Sequence, residues 1–141
     1  MANQLLASPD IDLVVGSHVH VIQPIDRIGD KYVVYGLGNF LSNQASEAAA
    51  GLPAATQDGV IVEVDLTDTG TGVFKASGVS YTPTWVNRNA GYAITPVSAA
   101  LKDPATPAAT KTALQQSLQR TNTAINALGA ADKGVALAND G

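Results

Sequence analysis

The sequence predicts an α+β fold, and three observations carry that prediction. A short, nearly unbroken apolar run, Ile11 to Val15, ends at Gly16, which is the pattern of a strand buried on both faces. Two later segments alternate, placing Val60, Val62, Val64 and Leu66, and then Val79, Tyr81, Pro83 and Trp85, on one face, as half-buried strands do. Toward the C-terminus Leu114, Leu118, Ile125 and Leu128 fall on one helical stripe, with Thr121 completing the spacing.

Taken in order, Ala2 to Ala7 reads as the last turns of a helix begun upstream. It is stopped by Ser8-Pro9-Asp10, because Pro9 disfavours helical geometry in the residue before it. After the first strand, Val21 to Ile28 and Lys31 to Tyr35 form two β-prone runs joined by Gly29-Asp30, a connection suited to a tight hairpin. Gly36-Leu37-Gly38-Asn39-Phe40 is a flexible bend. Ser42 to Asp58 is small and polar, with Gly51 and Pro53, so an exposed loop is expected there, with a short helical turn at Glu47 to Ala50. Pro83 cannot donate a ladder hydrogen bond, so its strand should lie at an edge or break there. Thr106-Pro107 offers an N-cap and a proline at the first helical position. The helix should then run to Leu128, with Gly129 as its C-cap. One domain accounts for the chain: a β-rich part over 1–101, a helix of the same domain over 102–129, and a flexible tail over 130–141.

Hydrophobic residues make up 45% and charged residues 14% of the 141, a globular rather than a disordered composition. The net charge of -4 excludes the basic footprint of a protein that follows a phosphate backbone, so nucleic acid is not an expected partner. Without cysteine, any metal must be held by nitrogen and oxygen. No apolar run reaches the roughly 18 residues of a membrane span, and residues 1–20 lack the basic start and apolar middle of a signal peptide.

The candidate chemistry sits on His18 and His20, the two histidines of the chain. Neutral imidazole is a good ligand for divalent transition metals, and alternate side chains of an extended backbone point the same way, so a shared target is natural. Asp10, Asp12, Asp26 and Asp30 lie nearby and could add oxygen ligands, although Asp10 beside Pro9 and Asp30 in the hairpin fit turn roles. Gly36-x-Gly38 lacks the lysine and further glycine of a nucleotide loop. Tyr81 and Trp85 could stack on a sugar or peptide but read more simply as core, and the helical stripe as a face docked on a sheet.

Two segments carry a resemblance to a known family: Asp12-Leu13-Val14-Val15-Gly16-Ser17-His18-Val19-His20-Val21-Ile22-Gln23-Pro24 and Tyr35-Gly36-Leu37-Gly38-Asn39-Phe40. Together they closely resemble the core of the CapA family, named for poly-gamma-glutamate capsule biosynthesis, within the calcineurin-like metallophosphatase superfamily. Asp58-Gly59-Val60 and Tyr81-Thr82-Pro83-Thr84-Trp85-Val86 also look like that family, so the resemblance runs over roughly residues 5 to 100. It implies the C-terminal half of a two-sheet β-sandwich with flanking helices, ending in a long helix, and a two-metal site at the strand ends. The Gly-x-His-x-His loop of such proteins brings late metal ligands, which by position are His18 and His20, with Gly16, Gln23 and Asn39 shaping the site; for Gln23 and Asn39 loop hydrogen bonding is the other reading. Paired divalent ions of this kind generate a bound hydroxide and clamp phosphoryl oxygens.

The superfamily's early aspartate, asparagine and histidine ligands have no equivalent here, and Val19 stands where the pattern usually has proline. A catalytic zinc usually takes three protein ligands, so the expectation is a chain with no catalytic residue of its own, inactive alone. It is then either a piece of a metal-dependent hydrolase or of capsule machinery, or a non-catalytic module that binds a polymer or a protein. Half a sandwich leaves an apolar face and free strand edges, so the expected partner is a second copy or a complementing N-terminal chain. The resemblance implies a place outside the cell or at its envelope.

Overall fold

A computed structural model describes residues 1–44, 51–70 and 72–139. The fold is α+β, with two sheets and flanking helices. A short helix α1 (Ala2–Leu6) leads into β1 (Leu13–Val15), β2 (Ile25–Ile28) and β3 (Lys31–Val34). The second sheet is built from β4 (Asp58–Asp68), β5 (Phe74–Asn87) and β6 (Ala93–Pro96), followed by α2 (Val97–Lys102), α3 (Ala108–Ile125) and β7 (Val135–Leu137).

The first sheet has the order β1-β3-β2. β2 and β3 form the expected hairpin, antiparallel from Ile25 opposite Val34 to Ile28 opposite Lys31, and the turn places Gly29 at φ +66°, which glycine adopts freely. β1 joins the other edge of β3 in parallel. This corrects the expectation of a strand buried on both faces: as an edge strand, β1 leaves Leu13 and Val14 half-buried and Val15 exposed.

In the second sheet β5 is central, antiparallel to β4 along its whole length and to β6 near its end, and parallel to β7 through Val79–Tyr81. Pro83 falls in the break between the β7 pairing, which ends at Tyr81, and the β6 pairing, which starts at Thr84. A missing donor is harmless in such a gap. Beyond Pro83 the burial alternation fails: Thr84 and Val86 are buried and Trp85 only partly, because α2 also packs on β5 there and brings the fully buried Val97.

One core joins the two sheets. Ile25, Tyr32 and Val34 from the first, with Ile22 just before β2, pack with Val60, Val79, Tyr81 and Val135 from the second, and with Ile125 and Ala130. α3 starts at Ala108 with Pro107 as its N-cap, one residue later than the sequence predicts, and ends through a 3-10 turn, Asn126–Leu128, at Gly129 in the left-handed region. Its buried stripe is Leu114, Ser117, Thr121 and Ile125. Leu128, expected there, is 45% exposed, because the 3-10 turn has already left the helical period.

The expected tail is corrected over its described part. A 3-10 turn at Ala131–Lys133 and strand β7 occupy it, with Ala130 and Val135 buried. Tyr32 Oη donates to Lys133 O at 2.6 Å, and Lys133 Nζ pairs with Asp26. The helical turn expected at Glu47 to Ala50 lies outside the described residues, and a 3-10 turn not anticipated from the sequence forms at Ala54–Gln57. Among the described residues no helix is long and apolar enough to cross a membrane.

Candidate functional site

Because β1 and β3 are parallel, the chain leaves both strands at the same end of the sheet. The histidine loop after β1 therefore meets the glycine-rich bend after β3. Gly16 N donates to Val34 O at 2.6 Å, and a Cβ on Gly16 would overlap the carbonyl of Tyr35. Only glycine lets the two backbones approach so closely. Next along the loop, Ile22 bridges Leu37, and Gln23 N donates to Gly36 O at 3.0 Å.

Gly36 leaves room for the side chains of Val19 and Gln23, whose carbons would collide with a Cβ there. Gln23 thus shapes the loop by packing. Its amide donates only to Ile22 O, at a long 3.4 Å, and makes no bond to either histidine among the described residues.

Asn39 is the polar hub. Its Nδ2 faces Thr56 O at 3.0 Å, Gln44 Oε1 at 3.2 Å, and Ser42 Oγ and His20 O at 3.3 Å. Backbone carbonyls only accept, so the amide nitrogen must lie on that side and Oδ1 on the other. Oδ1 stands 2.9 Å from His20 Nδ1. Since Oδ1 cannot donate, Nδ1 carries the proton, and the lone pair of the neutral imidazole is on Nε2. Ser42, Gln44 and Thr56 were not legible as site residues, because nothing in their spacing sets them apart from loop residues.

His18 has φ +81°, in the left-handed region that few non-glycine residues occupy. That reversal breaks the extended run on which a shared direction for the two imidazoles was expected. His18 lines an apolar cavity of about 530 Å³ with Leu13, Val15, Phe40 and Ile61, whereas His20 lines a polar pocket with Asn39, Ser42 and Gln44.

The nearby carboxylates are engaged elsewhere or isolated. Asp26 pairs with Lys133 and Asp30 with Lys75 at 3.4 Å, and Ser8 Oγ accepts from Asp10 N at 3.2 Å in a turn. Asp12 Oδ1 is buried without a hydrogen-bond partner. Among the described residues no group of three His, Asp or Glu stands close enough to hold a metal ion. The donors present therefore do not fit a self-contained metal centre.

Residues 1–44, which hold Gly16, His18, His20, Gln23 and Asn39, match the family described as bacterial capsule synthesis protein PGA_cap. The PGA biosynthesis protein CapA of Bacillus subtilis (strain 168) is 32% identical over 68 residues. The likeness to CapA-type proteins takes in residues 1–44, the segment that carries both histidines. The family model matches as far as residue 44, and the alignment to the Bacillus subtilis protein, 68 residues long, runs beyond it. The alignment to the Bacillus subtilis CapA covers 48% of this chain and 16% of that protein. No solved structure matches the chain.

Proposed function

We propose that this chain is a CapA-type part of bacterial capsule machinery whose Gly16–His20 loop supplies imidazole ligands to a divalent-metal centre completed by residues outside the chain. By itself it turns nothing over. The carrying observation is the bond from His20 Nδ1 to Asn39 Oδ1. A metal-binding histidine typically donates its second ring N–H to an oxygen acceptor, which fixes the tautomer and the ring orientation. His20 has that arrangement, with Nε2 directed to ligation. His18 lines the apolar cavity instead of the His20 pocket, so it serves as the second imidazole only once the loop turns it toward His20 in the completed centre. The metallophosphatase fold, a hydrolase role for the completed protein, and a place at the cell envelope belong to the same proposal, as does the poly-gamma-glutamate capsule as the polymer served.

Calorimetric titration with Zn²⁺ and Mn²⁺ tests it, first on the chain alone and then mixed with the part of Bacillus subtilis CapA that precedes the aligned residues. Tight binding in the mixture only, abolished by His20→Ala, is the expected result. Absence of binding in both overturns the proposal. It would favour the second reading, a non-catalytic module that binds a polymer or protein, which draws support from the apolar cavity between the sheets, where Phe40 is 60% exposed.

A further inference from the structure

We infer that Arg120, on α3, is a positioning residue for His20, acting through Asp58, Thr56 and Asn39. The inference deepens the reading of His20 as a metal ligand and rests on that reading for its purpose.

The relay begins at a buried charge. Arg120 Nε donates to Asp58 Oδ2 at 2.6 Å and Nη2 to Oδ1 at 2.8 Å, and Ser117 Oγ donates to the same Oδ1 at 2.7 Å. The Asp58 side chain is 2% exposed. A fork of two charge-assisted bonds fixes both the position and the plane of a carboxylate, and lysine, a point charge, cannot reproduce it. Both partners come from α3, so the start of β4 is pinned to that helix.

On either side of Asp58 the backbone touches the Asn39 segment. Two residues earlier, Thr56 O accepts from Asn39 Nδ2 at 3.0 Å, and Thr56 is held in its turn by a bond from its Oγ1 to Pro53 O at 2.9 Å. One residue later, Gly59 bridges Gly38. A Cβ on Gly59 would stand 2.5 Å from Asn39 O, and one on Gly38 would stand 2.7 Å from Asp58 O. Two backbones cross here at a separation that leaves no slack, so a displacement of Asp58 moves Asn39. Asn39 Oδ1 is in turn the acceptor that sets the His20 proton on Nδ1. The helix supplying Arg120 lies outside residues 1–44, so a part of the chain beyond the family match governs a residue within it.

The test uses the whole chain labelled with ¹⁵N at histidine, in long-range proton–nitrogen correlation spectra at about pH 8.5, where an ordinary imidazole is neutral. The unaltered protein is expected to show His20 as the Nδ1–H tautomer. In Arg120→Gln that signature should give way to a mixture of both tautomers, while His18, which faces the other cavity, keeps its signals. Where Arg120→Gln fails to fold, Asp58→Leu with Arg120→Leu is read instead, since removing both partners leaves no unpaired buried charge. A folded variant that retains the His20 signature overturns the inference and leaves the proposed function intact. Absence of the signature from the unaltered protein overturns the pairing of His20 with Asn39, and with it both readings.

Discussion

His20 and Asn39 stand 19 residues apart in sequence and meet through Nδ1 and Oδ1 at 2.9 Å. The bond ties the loop after β1 to the bend after β3, and the parallel pairing of those strands makes it possible. Asn39→Ala removes both the acceptor for His20 and the donor to Thr56 O. In the complemented protein it should weaken metal binding by about 10- to 100-fold, the usual effect of losing a partner behind a ligand. In the chain alone it should lower stability by about 1–3 kcal/mol, the cost of stranding half-buried polar groups. Calorimetry and urea unfolding measure the two effects separately.

Gly16→Ala should destabilise the chain through its backbone. The added Cβ would overlap the Tyr35 carbonyl at the end of β3, and forced overpacking of this kind typically costs about 1–3 kcal/mol. A lower urea midpoint with an unchanged slope is the expected signature. An unchanged midpoint would show that the loop after β1 does not sit against Tyr35.

Tyr81 predicts an alkaline limit. Burial raises its phenol above the ordinary value of 10.0, and its hydroxyl donates to Asn122 Oδ1 at 2.9 Å, joining β5 to α3. A group that holds its proton more tightly when folded contributes stability that is complete below its unfolded pKa. That contribution is lost as pH rises through the folded one. Unfolding midpoints should therefore fall as pH rises above about 10, the ordinary tyrosine value. Tyr81→Phe, less stable at neutral pH for want of the bond to Asn122, should show a shallower decline over that window.

The apolar cavity between the sheets predicts self-association or capture of a complementing chain. Val15, Phe40 and Ile61 line it at 53%, 60% and 44% exposure, and the outer edge of β1 pairs with no strand among the described residues. An open strand edge beside exposed apolar side chains favours further pairing. Sedimentation of the chain alone should show a dimer or larger species that Phe40→Ser with Ile61→Lys shifts toward monomer. A monomer at every concentration, before any substitution, would count against this.

The sequence was most informative where short-range chemistry decides structure. The Gly29-Asp30 hairpin, the alternation of β4 as far as Val64 and the Gly129 cap follow from turn conformation and side-chain period, whereas Leu66, past the register shift after Asp65, is exposed. The glycine at position 16 was legible through its place in a family-like motif, though the carbonyl it must avoid was not. The edge position of β1 could not be read, because an apolar run of a few residues looks the same whether one neighbour covers it or two. The role of residues 130–138 was hidden for a different reason. A tail rich in Ala, Gly and Asp has no periodicity of its own, and β7 forms because β5 offers it a place. Separation in sequence likewise concealed the clamp: Asp58 and Arg120 lie 62 residues apart, and nothing local marks either as the other's partner.

The hub at Asn39 reaches across the molecule. Its imidazole partner hangs from the first sheet, while the Thr56 carbonyl that holds it belongs to the run into the second. Lys133 and its neighbours also strap the two sheets together, pairing with Asp26 on β2 and accepting from Tyr32 on β3 just before β7 joins β5. The imidazole of His20 therefore works as a gauge of how one sheet is seated on the other. Loosening of the strap would let one sheet shift on the other, and Asn39 would carry that shift to the histidine.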